Sequence, residues 1–366
     1  MMTAPTPVRG GSNMSENPHI HRRRCLAMLA TAPVVAACSL ATTPARRTFG
    51  TTEDTSVALL LPLSGARATL GQQMAKAVWL AEDFGGTPKT TMVLDAGETP
   101  QAAAQAAHDA VSKGANIIVG PLFRDQTPAV VEAAGPVTVM SLSNDTALSA
   151  TGAWVFGVTP AQSVDAVLGF AQGAGAKRIT VLETGGTLGH HATQALHFGA
   201  RGARVSPLPS IPATTRPDQM DEALRQAGGG SMPDIVYVPE AGDTTLRQAE
   251  AAVQTGVTTI GSLQWSGLGQ DQFDRLDKAC FTGPDPVRFD RMSAVFRAQL
   301  DEEMGVIAAL AVDAVGLAQS VGSARTLSTR TGYQGLLGNT RFDRDKTCER
   351  ALAILRIDEG TVRPVL

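Results

Sequence analysis

From Ser56 onward, short apolar runs alternate with longer runs of helical period, and this alternation restricts the fold more than any other feature. "SVALLLPLSG" is a strand-length apolar run closed by Pro62, Ser64 and Gly65. "LGQQMAKAVWLAEDFGG" then places Leu70, Met74, Ala77, Val78, Ala81 and Phe84 on one helical face. "TTMVLDAG" reads as the next strand. Thr99 and Pro100 predict a helix start, with Thr as cap and Pro in the first helical position, and Gly114 predicts its end. "NIIVG", a second Thr-Pro start at Thr127–Pro128, and "VTVMSLS" complete a first series. A second series opens at Thr159, where Gln162 is spaced to reach back in a capping box. It continues through "RITVLE", "ARVSPL", "DIVYVPE" and "VTTIGSLQW", each separated from the next by a helical run. Such alternation predicts an α/β protein whose parallel sheets are covered by helices on both faces. The 366 residues exceed one ordinary core, so the two series predict two lobes. After a Gly-Pro-Asp-Pro break come two more helical runs, then a terminal strand pair turning near Glu359–Gly360.

Composition removes several functions. Apolar residues make up 43% and charged residues 18%, the balance of a folded chain. The net charge is −3 and no long basic stripe occurs, which argues against nucleic acid as a partner. Aromatic residues are only 4%, too few for base-stacking platforms.

The first 37 residues read as a signal peptide. Arg22, Arg23 and Arg24 precede an apolar run too short for the roughly 20 residues a bilayer requires. Val35-Ala36-Ala37-Cys38 resembles the bacterial lipobox, which implies lipidation of Cys38 and cleavage before it. Arg23-Arg24 is also compatible with a twin-arginine export signal. Several acyl tails anchor stably where one is marginal. The resemblance therefore implies a periplasmic protein held to a membrane, and Ser39 after the cysteine implies the outer one. Residues 38–54, rich in Thr, Pro and Arg, read as a tether. Cys280 and Cys348 remain in the folded part. An oxidising compartment permits a disulfide between them, and two buried thiols are the alternative.

In open α/β sheets, ligands sit beyond the carboxyl ends of the strands. That rule nominates Ser64, Gly65, Arg124, Asp125, Ser143, Asn144, Asp145, His190, Glu240 and Trp265. Several also have a plainer use: Ser64 as a cap, Asn144 and Asp145 as turn residues, Trp265 as packing. Arg124 could clamp a ligand carboxylate or pair with Asp125 or Asp145. The histidines of "HHATQALH" stand at offsets of one, six and seven and lack the i, i+4 pairing of helical metal sites, so no metal is expected. There is no Gly-x-Ser-x-Gly elbow, no His-Glu-x-x-His and no Walker loop. "GAGAK" precedes a strand instead of following one. Neither enzymatic activity nor a cofactor is expected.

"VALLLPLSG", "GANIIVGPLF", "VMSLSND", "VFGVTP" and "KRITVLE" come in the order and spacing of type I periplasmic binding proteins, the Leu/Ile/Val-binding-like family. They most resemble the lipoprotein activators of penicillin-binding proteins, as does "GNTRFDRD" near the end. The resemblance implies two Rossmann-like lobes joined by a three-stranded hinge. Lobe 1 is then 55–158 plus 285–322 and lobe 2 is 159–284 plus 323–366, with crossings near Thr159, Pro284 and Ser323. It implies as partner either a penicillin-binding protein or an ABC permease. The ligand would be an amino acid, a related solute or a peptidoglycan fragment. Amino-acid-binding relatives hold the ligand carboxylate with small hydroxyl residues after the third and fourth strands. Here those places hold Phe123-Arg124-Asp125 and Asn144-Asp145, a departure from that plan. Regulation of a cell-wall synthase by protein contact is thus the expected function, with solute capture for an ABC importer as the alternative.

Overall fold

The computed structural model describes residues 56–85, 91–183, 185–321, 327 and 332–365. The expected signal segment, Cys38 and the tether lie outside the described residues.

The first lobe winds β1 (Val57–Leu61), α1 (Ala68–Gly85), β2 (Met92–Asp95), α2 (Pro100–Ser112), β3 (Ile117–Val119), α3 (Thr127–Ala134), β4 (Thr138–Ser141) and β5 (Trp154–Val155) into one sheet. Its strands are all parallel, in the order β2-β1-β3-β4-β5. Every residue of β1 is buried, as a strand covered on both faces requires. Alanines 103, 106, 107 and 110 let α2 pack closely beneath one face. Thr99 caps α2 by accepting from the Ala102 amide at 3.2 Å. Thr127 is the first residue of α3 and not its cap; its buried hydroxyl instead lies 2.9 Å from that of Ser141. On α1 the apolar face differs from the predicted one: Phe84 is half exposed beneath Arg291, and Glu82 is buried in its stead. Glu82 tolerates burial because Thr91 and Gln319 donate to it.

The chain then crosses to α4 (Pro160–Ala174), where Gln162 Oε1 accepts from the Thr159 amide at 3.3 Å. The second lobe follows as β6 (Arg178–Glu183), α5 (Thr187–Ala203), β7 (Ser206–Pro207), β8 (Ile211–Pro212), α6 (Met220–Ala227), β9 (Ile235–Val238), α7 (Asp243–Gln254), β10 (Thr258–Gly261), α8 (Gln270–Arg275) and β11 (Cys280–Gly283). The chain returns to the first lobe with α9 (Pro286–Leu300) and α10 (Val306–Val321), whose Phe296, Leu310 and Val315 complete the core under β1, β3 and α1.

The C-terminal segment departs from the expected strand pair. It forms β12 (Tyr333–Gly335), β13 (Gly338–Phe342), β14 (Cys348–Ala351), β15 (Ala353–Asp358) and β16 (Thr361–Pro364). The first three make a separate antiparallel sheet, and Leu337, Phe342 and Cys348 pack into the first lobe's core. Residues 333–351 therefore lie with lobe 1, because their apolar side chains face α10 and Phe156 and not the second sheet. Only β15 and β16 join the second sheet, ordered β16-β15-β11-β10-β9-β6-β7 with β8 also on β6. Glu359 and Gly360, at φ of 50° and 71°, form the turn between them. The third crossing is consequently at Leu352, between β14 and β15, not near Ser323.

Cys280 and Cys348 are both free and buried, and they belong to different cores. Burial pushes the Cys348 thiol up to about 11 and raises that of Cys280 as well.

Candidate functional site

Both sheets change winding direction at one place, and ligands of such sheets gather there. In the first lobe this is between β1 and β3; in the second, between β6 and β9. The loops leaving those four strands carry Ser64, Gly65, Arg124, Asp125 and Glu240; Ser143, Asn144 and Asp145 follow β4, Trp265 follows β10 and His190 lies in α5.

At the first lobe's edge, the protein's own carboxylates take the donors. Asp95 ends β2, and one of its oxygens accepts from the Leu63 and Gly97 amides, each at 2.9 Å. Partial burial pushes its carboxyl up, yet bonds from Ser64, Gly97 and Leu63 hold it below the usual value. Glu98 accepts from the Arg67 amide at 2.9 Å, at the start of α1. Its carboxylate lies over Gly65, where an added Cβ would come within 2.6 Å of Glu98 Cδ. A helix start of this kind is where an anionic ligand group would dock, and Glu98 already fills it.

Across the edge, Arg124 Nε meets Asp145 Oδ2 at 2.7 Å, so of its two nominated partners Arg124 takes Asp145. Asp145 also caps the turn Thr146–Thr151 by accepting from the Ala147 amide at 3.0 Å. Ser143 is buried, and its hydroxyl accepts from the Asp145 amide. Asn144 and Asp125 are exposed. Gln126, which the sequence pattern did not single out, is wholly buried and donates to the Ala96 and Gly97 carbonyls, tying this loop to the end of β2. Because Arg124 is three-quarters exposed, its pair contributes little. Arg124→Ala is expected to shift stability by less than about 1 kcal/mol in urea unfolding.

The second lobe repeats the arrangement. A Cβ on Gly186 would stand 2.7 Å from Glu240 Oε1, so the Glu240 carboxylate sits at the start of α5. Glu183, at the end of β6, accepts from Ser210 at 2.7 Å. His190 is exposed, its Nε2 3.0 Å from Gln194. Trp265 is removed from the cleft. It is fully buried on the turn Leu263–Gly267, its Nε1–H donates to the Glu240 carbonyl at 3.2 Å, and its indole closes over Gly261. Gly261 is required there, since a Cβ would lie 2.0 Å from the ring.

The structure thus brings Ser64, Gly65, Arg124 and Asp145 together at one edge and places His190 and Glu240 at the other. Ser143 and Trp265 serve as packing and turn chemistry. Asp95, Glu98 and Glu183 were missed, although Asp95 and Glu183 are the last residues of β2 and β6 and Glu98 stands three residues beyond β2.

A family model described as periplasmic binding protein matches residues 54–280. A search among curated proteins found no match. Among solved structures, the chain is similar to a Rhodospirillum rubrum protein described as a branched-chain amino acid ABC transporter, with a TM-score of 0.71 and 18% identity, covering 84% of this chain and 99% of that one. Full-length LpoA from Haemophilus influenzae gives 0.69 and 16% identity over 87% of this chain, which spans 60% of that longer protein. The C-domain of the same LpoA, titled a regulator of PBP1A, gives 0.66 and 16% identity, covering 85% of this chain and 99% of the domain. These likenesses show a shared fold.

Proposed function

The chain belongs to the periplasmic binding protein family, and on that premise we propose that it regulates a peptidoglycan synthase of the penicillin-binding class by protein contact. The observation that carries this reading is the state of the cleft edges. Asp95, Glu98, Asp145 and Glu240 occupy amides, helix starts and the guanidinium that an amino-acid carboxylate would need. A ligand carboxylate would have to displace them and then lie beside like charge. Likeness to the LpoA C-domain supports the choice of partner. In this reading the protein is not an enzyme. Cys38 carries the lipid that holds it in the periplasm, at the outer membrane, and the tether gives it reach.

A second reading, solute binding for an ABC importer, draws on the near-complete coverage of the Rhodospirillum rubrum protein. The acidic edges then point to a solute rich in donors or positive charge, not to a plain carboxylate.

Thermal unfolding with leucine, isoleucine, valine and peptidoglycan fragments separates the two. A captured solute at a thousand times its dissociation constant adds about 4 kcal/mol. The expected result is no saturable shift with the amino acids, together with faster glycan polymerisation or cross-linking by a purified synthase when the protein is added. A saturable shift with an amino acid and no effect on any synthase would overturn the regulator reading.

A further inference from the structure

Helix α5 presents an aromatic side chain that nothing covers. Phe198 is 92% exposed, the most of any large apolar side chain among the described residues; Phe84, at 51%, lies beneath Arg291. The helix turns Gly189, Ala192, Leu196, Ala200 and Ala203 inward. His191, Gln194, Phe198 and Arg201 fall on the opposite line, at i, i+3, i+7 and i+10, and all four are exposed. The surface beside Phe198 is low. A Cβ added at Gly202, one turn further on, would meet nothing within 4 Å, nor would one at Gly173, next to the Gln172 that donates to the Gly202 carbonyl. The ring therefore projects from a surface without walls.

The helix around it carries charge of one sign. Residues 187–204 include three histidines, Arg201 and Arg204 and no carboxylate. Lys177 is exposed and adds a third cation at this end, for its carbonyl takes the Ser206 amide at 2.6 Å, two residues past Arg204. The nearby carboxylates are turned elsewhere. Asp234 accepts from the Lys177 and Arg178 amides, and Asp165 stands on the flank toward α4, 3.9 Å from a Cβ built on Gly199. Because α5 runs back from the end of β6, its cationic end lies away from Glu240 and the strand-end edges. A second copy packed here about a two-fold axis would set Arg201 and the histidines against themselves. An anionic surface is the complement of this face. In the reading proposed above, Cys38 carries lipid and residues 38–54 tie it to the fold. A tether of that length spans up to about 60 Å, against a radius of gyration of about 20 Å for a folded part of this size. Lobe 2 is then within reach of the bilayer. A contact too weak to hold a free protein becomes a second hold on one already anchored.

We propose that the outer face of α5 around Phe198, with Arg201, Arg204 and Lys177, docks on an anionic phospholipid surface, the ring entering the headgroup layer and the cations meeting phosphates. Proximity to the bilayer rests on the lipid anchor of the proposed function; the docking face does not, and the test removes the anchor. The full chain carrying Cys38→Ala takes no lipid. With Phe198→Trp added, it is titrated with vesicles of phosphatidylcholine alone and of phosphatidylcholine mixed equally with phosphatidylglycerol. The emission of the introduced indole, read as the difference from the parent chain, is expected to shift to the blue with the anionic vesicles and not with the neutral ones. In co-sedimentation, Phe198→Ser should weaken partitioning about tenfold or more. Arg201→Gln with Lys177→Gln should weaken it about fivefold for each cation removed. These side chains are exposed, so the melting temperature stays that of the parent, and residues 1–37, common to every variant, cancel from the comparison. Synthase stimulation is measured without vesicles, so either reading can fail alone. The proposal fails if the anionic vesicles leave the indole emission unmoved or if Phe198→Ser partitions as the parent does. It also fails if poly-L-glutamate shifts the emission and vesicles do not, which would make the face a site for an acidic protein segment.

Discussion

Arg350→Ala is expected to destabilise the protein by about 3–5 kcal/mol in urea unfolding, the cost of leaving a buried charge without its partner. The side chains of Arg350 and Asp313 are 0% and 1% exposed, with Nη1 3.5 Å from Oδ2. Arg350 also donates to the Phe156 carbonyl at 3.0 Å and to Thr340 Oγ1 at 3.3 Å, and it lies over the Phe156 ring. Asp313 accepts from the Leu336 and Leu337 amides at 2.6 and 2.9 Å. Five segments therefore meet at this pair: α10, the β12–β13 turn, β13, β14 and the first crossing. Burial pushes the Asp313 carboxyl up to about 6 although Arg350 and the two amides pull it down. For Asp313, desolvation thus outweighs the attraction of Arg350 and the two amides. Replacing both residues, as Asp313→Leu with Arg350→Met, is expected to cost much less than either single change. The folded state also holds the Asp313 proton more tightly than the unfolded state does. Its contribution is full below about pH 3.8 and is lost as pH rises through about 6, a change of about 3 kcal/mol. Urea unfolding of the wild type and of Asp313→Asn, compared at pH 4 and pH 7, measures this; an equal pH dependence in the two proteins contradicts it.

Trp265→Ala is expected to have a comparable effect for a different reason. Trp265 heads the fully buried side chains by volume and packs in one core with Leu276, Phe281 and Leu355. Truncating a buried Trp to Ala typically costs about 3–5 kcal/mol, as a transfer loss plus a cavity. The Glu240 carbonyl also loses its indole donor. A tryptophan serving as a ligand platform would behave otherwise: its removal would spare the fold and alter binding. A urea midpoint within experimental error of wild type would therefore return Trp265 to the cleft.

The winding of both sheets was legible in the sequence because the apolar runs had the lengths of strands and the Thr-Pro pairs marked helix starts. Thr99 and Gln162 do what their spacing predicts. The C-terminal sheet was not legible. β14 and β15 are separated by one residue and read as one continuous strand, yet they pair in different sheets, a choice made by distant partners. Phe84 and Glu82 show the same limit. Helical period places the phenylalanine inward, but Thr91 and Gln319 offer the glutamate two hydrogen bonds that no local pattern reveals. At the cleft, the strand-end rule nominated residues that the structure uses in different ways. It named Glu240, which lies at the start of α5, and Trp265, which is buried, but not Glu98, which lies at the start of α1.

The crossing at Leu352 sets how the halves can move. Residues 156–159 can share a bend among several dihedrals, but between β14 and β15 a swing must be absorbed largely by the φ and ψ of one residue. Gln162 donates to the Cys348 carbonyl and Arg350 to that of Phe156, so the first and third links are pinned to each other and pivot together. Any swing about this joint would have to carry both links together or break those two hydrogen bonds.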